Sequence, residues 1–199
     1  MTPYEVSFFL FLGGCMDYIN HLEFYISSSE LNKIRKCDDI YLKSAVLVRI
    51  LFKDKKDKAG EPYIGHLFRV SSKMTTVKGM VAGLLHDVVE DIENIEFDDL
   101  LDIGIPEDVV DALRLVTKEP SMRRLTKVEK LIRYNREIDN IISSGNNLAL
   151  ELKIADMDDN FSRERLEKVS PEELAWFNMK YADNLKKLEN EREKRMIKC

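Results

Sequence analysis

Apolar residues recur along this chain at intervals of three and four positions, the spacing that places them on one face of an α-helix. The segment from Ile40 to Phe52 shows this clearly, with apolar residues at Tyr41, Ala45, Val46, Val48, Leu51 and Phe52. Only 8 Gly and 5 Pro interrupt 199 residues, and no segment shows a convincing strand pattern. The sequence therefore predicts an all-α fold, a compact bundle of roughly eight helices.

A strongly apolar run from Val77 to Val89 (VKGMVAGLLHDVV) predicts a buried central helix. His86 and Asp87 lie near its end, and burying an imidazole beside a carboxylate costs free energy unless something binds both. A divalent metal would do so, since imidazole and carboxylate together suit Mn²⁺, Fe²⁺ or Zn²⁺. Taken alone, however, such a pair more often makes a structural hydrogen bond.

Two further carboxylates follow this pair. Glu90 lies four residues after His86, and Asp91 lies four residues after Asp87. On a continuing helix all of them would face the same side, where the carboxylates would repel one another without a cation. The alternative is a solvated helix end, which leaves the preceding apolar run unexplained.

A second acidic cluster occupies Lys153 to Asn160 (KIADMDDN). Asp156 follows an apolar stretch and should lie near the core, and Asn160, one helical turn later, should point the same way. We expect the other two carboxylates, Asp158 and Asp159, to be exposed charges.

The charge and the cysteine content of the chain limit the kinds of partner and compartment that we expect for it. The net charge is −5, and no basic block dominates, so the chain is a poor candidate for nucleic-acid binding. The three cysteines form no CxxC pair, which suits a reducing cytoplasm. The apolar segment from Val6 to Met16 is too short to span a bilayer and has no Lys or Arg before it, so we expect neither a signal peptide nor a membrane anchor.

Three segments together resemble a known family. They are Asp57 to His66 (DKAGEPYIGH), Leu84 to Asp91 (LLHDVVED), and Leu152 to Asp156 (LKIAD) with Asn160. In this order they resemble the motifs of the HD superfamily of metal-dependent phosphohydrolases. More narrowly, they resemble the hydrolase domain of RelA/SpoT homologues, which degrade the alarmones ppGpp and pppGpp, and the small alarmone hydrolases.

The resemblance implies an HD-domain fold and specific residue roles. It implies His66, His86, Asp87 and Asp156 as metal ligands, and Glu90 and Asp91 as the groups that position or activate the attacking water. It also places Lys58 against the nucleotide base and Asn160 near the ribose. The expected cofactor is a divalent metal, Mn²⁺ or else Fe²⁺ or Zn²⁺, and the expected partner is a small nucleotide. The oligomeric state is not indicated.

The chain departs from the family pattern at two positions. Asp57 stands where these hydrolases usually carry a basic residue, and Phe52 stands where they have a His-containing stretch. Because of Asp57, a second possible function is that of another nucleotide phosphatase, which acts on nucleoside monophosphates or NADPH. A third possible function is that of a non-catalytic nucleotide-binding module. Basic residues between the acidic motifs would either reach substrate phosphates or form a solvated face: Lys118, Arg123, Arg124, Lys127 and Lys130.

The predicted organisation has three parts. Residues 1–30 form an N-terminal extension or a helix that packs on the domain, 31–185 form the HD phosphohydrolase domain, and 186–199 form a charged C-terminal helical tail.

Overall fold

The computed structural model describes residues 20–57, 60–118, 125–162 and 170–197. Within these ranges the chain forms a short 3₁₀ helix, His21–Phe24, and ten α-helices. The α-helices are α1 (Ser28–Arg35), α2 (Ile40–Leu51), α3 (Ile64–Ser72), α4 (Val77–Leu85), α5 (Val88–Asp91), α6 (Phe97–Asp102), α7 (Glu107–Val116), α8 (Lys127–Ser144), α9 (Asn147–Asn160) and α10 (Pro171–Ile197). The only β feature of the described residues is an isolated bridge between Lys56 and Pro62. The predicted all-α class is confirmed.

Helix ends follow local sequence signals. The side chains of Ser27, Asp39, Thr76 and Asn146 each accept a backbone N–H in the first turn of the helix they precede. Gly145 ends α8 with φ at 71°, a left-handed conformation that glycine adopts without steric cost.

Helix α4 lies at the centre of the bundle and packs against α2, α3, α7 and α9. Val81, Ala82 and Leu84 are fully buried. At Gly83, α4 crosses α3 so closely that a Cβ would lie 2.6 Å from Cα of Ser71. This approach fixes the end of α4 relative to α3, and α9 packs against both helices.

The apolar run from Val77 to Val89 is not one continuous helix. Helix α4 ends at Leu85, and α5 begins at Val88. Between them Asp87 has φ −101° and ψ 1°, outside the helical region. The expectation of an unbroken helix through His86 and Asp87 was therefore wrong, because the chain turns where these polar side chains face the interior.

Both ends of the described chain pack on the bundle. Leu22 and Ile26 are buried, and the side chain of Asn20 bonds to Asp102 and to the carbonyl of Asp99. Helix α10 runs without interruption across residues 185 and 186, and Leu188 within it is fully buried. The boundaries at 30 and 185 stay predictions. Among the described residues, no helix combines the length and hydropathy that crossing a bilayer requires.

Candidate metal centre

Four side chains from three parts of the chain meet beside the end of α4. His66 comes from α3, His86 and Asp87 follow α4, and Asp156 comes from α9. Nε2 of His86 lies 3.1 Å from Asp87 Oδ2 and 3.7 Å from Asp156 Oδ1. Nε2 of His66 lies 3.7 Å and 3.4 Å from the same two oxygens. The structure thus brings together all four residues for which a ligand role was predicted.

The ring of His86 is held in an orientation that suits a metal ligand. Its Nδ1 lies 2.8 Å from the carbonyl oxygen of Gly83, which can only accept, so Nδ1 carries the proton. Nε2 is buried and has no hydrogen-bond partner in the described structure, although two carboxylates face it. A buried ring nitrogen that faces two acidic oxygens fits a site for a cation.

The ring of His66 is held by Asp159, a contact that the sequence reasoning missed. Nδ1 of His66 donates to Oδ2 of Asp159 over 2.7 Å, and Asp159 also accepts from Arg69 over 2.8 and 3.0 Å. Asp159 is 2% exposed, so its expected place among the exposed charges was wrong. Asp158 is exposed as expected and pairs with Lys73. The signal was available, since Asp159 lies three residues after Asp156 and so shares its helix face.

The electrostatics of the cluster favour positive charge. Burial alone would lower the pKa of His86, but Asp87 and Asp156 outweigh it and raise that pKa well above its usual value. Burial likewise opposes ionisation of Asp87 and Asp156, yet the two imidazoles hold both carboxyl pKa values below their usual range. The cluster therefore attracts a proton or a cation between its nitrogens and oxygens.

Tyr63 is a further contributor that the sequence did not indicate. Its hydroxyl donates to Oδ2 of Asp87 over 2.6 Å, and its ring stacks on Phe52 with centroids 5.6 Å apart. Burial, followed by the charge of Asp87, raises the Tyr63 pKa far above its usual value, so this hydroxyl remains a donor.

The two predicted catalytic carboxylates lie on α5 and are each held by a lysine. Glu90 Oε1 accepts from Lys118 Nζ over 2.6 Å, and Asp91 lies 2.9 Å from Lys55 Nζ. Both carboxylates keep 26% of their side-chain surface exposed, so solvent reaches them. Their fixed positions leave them accessible to a substrate or a water molecule.

Of the two predicted substrate-binding residues, the structure describes Asn160 but not Lys58. Nδ2 of Asn160 donates to Asp156 Oδ1 over 2.6 Å, which places this amide against a candidate metal ligand. Lys58 lies outside the described residues, as do Arg123 and Arg124. Lys127 pairs with Glu172, and Lys130 is exposed on α8, so these two lysines lie on a solvated helix face. Of the basic residues between the acidic motifs, Lys118 thus has a described contact with the candidate site.

The donor set fits a divalent metal. His66, His86 and Asp87 offer ligand atoms that all lie within 4.8 Å of one another, and Asp156 faces both imidazoles. Two imidazole nitrogens with two carboxylates suit Mn²⁺, Fe²⁺ or Zn²⁺ rather than a soft thiolate-binding metal. The choice among these three stays a prediction.

Comparisons with known proteins agree with this architecture. No family model matches the chain, and no curated protein sequence matches it. A solved structure does match: a metazoan ortholog of SpoT that hydrolyses ppGpp and plays a role in starvation responses. The match has a TM-score of 0.55 and 24% sequence identity, and it covers 80% of this chain and 97% of that one. The chain therefore has the fold of this SpoT ortholog, as its three motifs predicted.

Proposed function

We propose that this chain is a metal-dependent phosphohydrolase that acts on a nucleotide. One observation carries the proposal: the buried Nε2 of His86, which has no hydrogen-bond partner in the described structure, faces the carboxylates of Asp87 and Asp156. A non-catalytic binding module would not need two further carboxylates, Glu90 and Asp91, positioned at the solvent-accessible side.

The proposed reaction is hydrolysis at a phosphorus atom. A divalent metal held by His66, His86, Asp87 and Asp156 would lower the pKa of a water molecule and polarise a phosphoryl oxygen. Glu90 and Asp91 then orient the attacking water and accept its proton. Lys118 and Lys55 keep these two carboxylates in place, and Asn160 orients the Asp156 carboxylate.

The favoured substrate is ppGpp, with release of pyrophosphate from its 3′ position. The three sequence motifs support this choice, and so does the activity of the SpoT ortholog that shares the fold. Because of Asp57, nucleoside monophosphates and NADPH are the alternative substrates. Its carboxylate accepts from the backbone N–H of Glu61 over 3.0 Å, where a basic residue would present positive charge.

A substrate panel with ligand variants tests this proposal. The Mn²⁺-loaded protein is assayed for phosphate and pyrophosphate release from ppGpp, nucleoside monophosphates and NADPH. His86→Ala and Asp87→Ala are compared with Asp158→Ala, which removes an exposed carboxylate from the same protein. We expect pyrophosphate release from ppGpp that both ligand variants abolish and the control keeps.

The other outcomes are informative. Simple phosphate release from another nucleotide would keep the reaction class and change the substrate. If no nucleotide of the panel releases phosphate or pyrophosphate, and elemental analysis verifies bound Mn²⁺, the result would contradict the proposed activity and favour the non-catalytic binding module.

A further inference from the structure

The hydroxyl of Tyr63 bonds to the oxygen of Asp87 that faces the candidate metal centre. The bond runs over 2.6 Å to Oδ2 of Asp87. The same oxygen lies 3.1 Å from Nε2 of His86 and 3.7 Å from Nε2 of His66. The hydroxyl therefore acts on the oxygen that Asp87 would offer to a metal, and not on the far side of the carboxylate.

The backbone around Asp87 does not hold its carboxylate. Asp39 shows the usual arrangement before a helix, because its Oδ1 accepts from the amides of Tyr41 and Leu42, both over 2.9 Å. Asp87 has the equivalent position before α5, but its ψ is 1°, whereas that of Asp39 is 103°. Within the described structure its side chain makes no capping bond to α5. The orientation of this carboxylate therefore depends on side-chain donors.

Metal binding would leave Tyr63 as the donor that orients Asp87. A ligating imidazole nitrogen must be unprotonated, so Nε2 of His66 and Nε2 of His86 cannot donate to a carboxylate while they hold a cation. Among the residues that the structure describes, the hydroxyl of Tyr63 is the remaining group that bonds to the Asp87 carboxylate.

The ring of Tyr63 is itself held in place by two neighbours. Phe52 is 1% exposed and stacks on it with an angle of 12° between the ring planes. The ammonium group of Lys55 lies 5.0 Å from the centroid of the Tyr63 ring, and Asp91 holds this ammonium group at 2.9 Å. A ring that is packed in this way delivers its hydroxyl to a fixed position, which a residue needs if it is to orient another one.

We propose that Tyr63 is a positioning residue that presents Oδ2 of Asp87 to the metal. The inference rests on the metal site of the proposed function and deepens it, because it assigns the group that orients one ligand. Tyr63 acts through Asp87 and does not touch the reacting atoms. Without the hydroxyl, the Asp87 carboxylate can turn its Oδ2 away from the centre, and each binding event must then order it again, which weakens the affinity for the metal.

Removal of this hydroxyl from the full-length chain tests the role without relying on activity. Tyr63→Phe keeps the ring and its contacts with Phe52 and Lys55. Tyr41→Phe is the matched control, since Tyr41 is a half-buried tyrosine that packs against the core from α2. Titration of Mn²⁺ followed by electron paramagnetic resonance measures the affinity, and the visible absorption spectrum of the Co²⁺-loaded protein reports the ligand geometry. We expect Tyr63→Phe to weaken Mn²⁺ binding roughly tenfold or more and to change the Co²⁺ spectrum, and Tyr41→Phe to do neither.

Three results would overturn the positioning role: an Mn²⁺ affinity of Tyr63→Phe equal to that of the wild type, equal weakening by Tyr63→Phe and Tyr41→Phe, or a weaker affinity with an unchanged Co²⁺ spectrum. Circular dichroism of each variant verifies the fold. Tyr63-dependent Mn²⁺ binding without hydrolysis of any nucleotide would keep the positioning role and reject the proposed function. Hydrolysis of ppGpp by a protein whose Mn²⁺ affinity is indifferent to the Tyr63 hydroxyl would do the reverse.

Discussion

Asp159 accepts a hydrogen bond from Nδ1 of His66 over 2.7 Å, and the opposite nitrogen of the same ring faces Asp87 and Asp156. The contact fixes which nitrogen carries the proton and aims the other one into the centre. A buried carboxylate behind a histidine also raises the basicity of the imidazole, which strengthens a metal bond. Asp159 is thus a positioning residue that acts through His66.

Replacing this carboxylate should weaken metal binding. We expect Asp159→Asn to reduce the affinity for Mn²⁺ by about 10- to 100-fold, because the amide has the shape of the carboxylate but no charge. Asp158→Asn is the matched control, since Asp158 is the neighbouring residue and forms an exposed ion pair with Lys73. Titration of free Mn²⁺ followed by electron paramagnetic resonance measures both affinities. Equal affinities in the two variants would show that Asp159 does not act on the metal site.

The ion pair between Lys55 and Asp91 should affect the reaction without affecting metal binding. In Lys55→Met we expect kcat to fall roughly tenfold, because Asp91 loses the ammonium group that holds it at 2.9 Å. Lys56→Met is the control, since this neighbouring lysine is exposed. Initial rates and Mn²⁺ content are measured for both variants. A Lys55→Met enzyme with a normal kcat, or one that loses its metal, would contradict this role.

The close crossing of α3 and α4 at Gly83 should tolerate no side chain. We expect Gly83→Ala to lower the free energy of unfolding by roughly 1–3 kcal/mol, because the added Cβ would lie 2.6 and 2.8 Å from backbone atoms of Ser71. Gly65→Ala, also helical, is the comparison, since its Cβ meets only the flexible end of Arg69 at 3.2 Å. Urea denaturation followed by circular dichroism measures both. Equal urea denaturation midpoints for Gly83→Ala and Gly65→Ala would show that α3 and α4 can move apart without a loss of stability.

Lys180 should destabilise the free protein at neutral pH. Its folded-state pKa is lowered to about 8, so the unfolded chain binds the proton more tightly. The stability of the wild type therefore rises with pH between about 8 and 10.4, and the full penalty is present below that window. We expect Lys180→Met to be more stable at pH 7 by about 1–3 kcal/mol, less the lost contact with the Tyr134 ring.

Urea denaturation of wild type and Lys180→Met at pH 7 and pH 9.5 measures this difference. The difference in unfolding free energy in favour of Lys180→Met should be smaller at pH 9.5 than at pH 7. Lys187→Met, which removes an exposed ammonium group from the same helix, should show no such change. An advantage that is the same at both pH values would mean that the charge of Lys180 is not what destabilises the protein.

The sequence by itself determined the helical class and most helix positions. Apolar spacing and capping residues such as Asp39, Thr76 and Asn146 act within one or two turns, so they can be recognised without knowing the fold. The three motifs also named His66, His86, Asp87 and Asp156 before any geometry was known, and the structure places these side chains together.

Only the tertiary structure decided what supports these residues. Asp159 and His66 are 93 positions apart, and Tyr63 and Asp87 are 24 apart, so no local pattern links them. The turn at Asp87 arises where α4 meets its neighbours, and a helical wheel does not show it. Lys153 and Lys180 approach the same tyrosine ring because α9 and α10 pack together. Side-chain partners of this kind depend on helix packing, which the periodicity of a single helix does not encode.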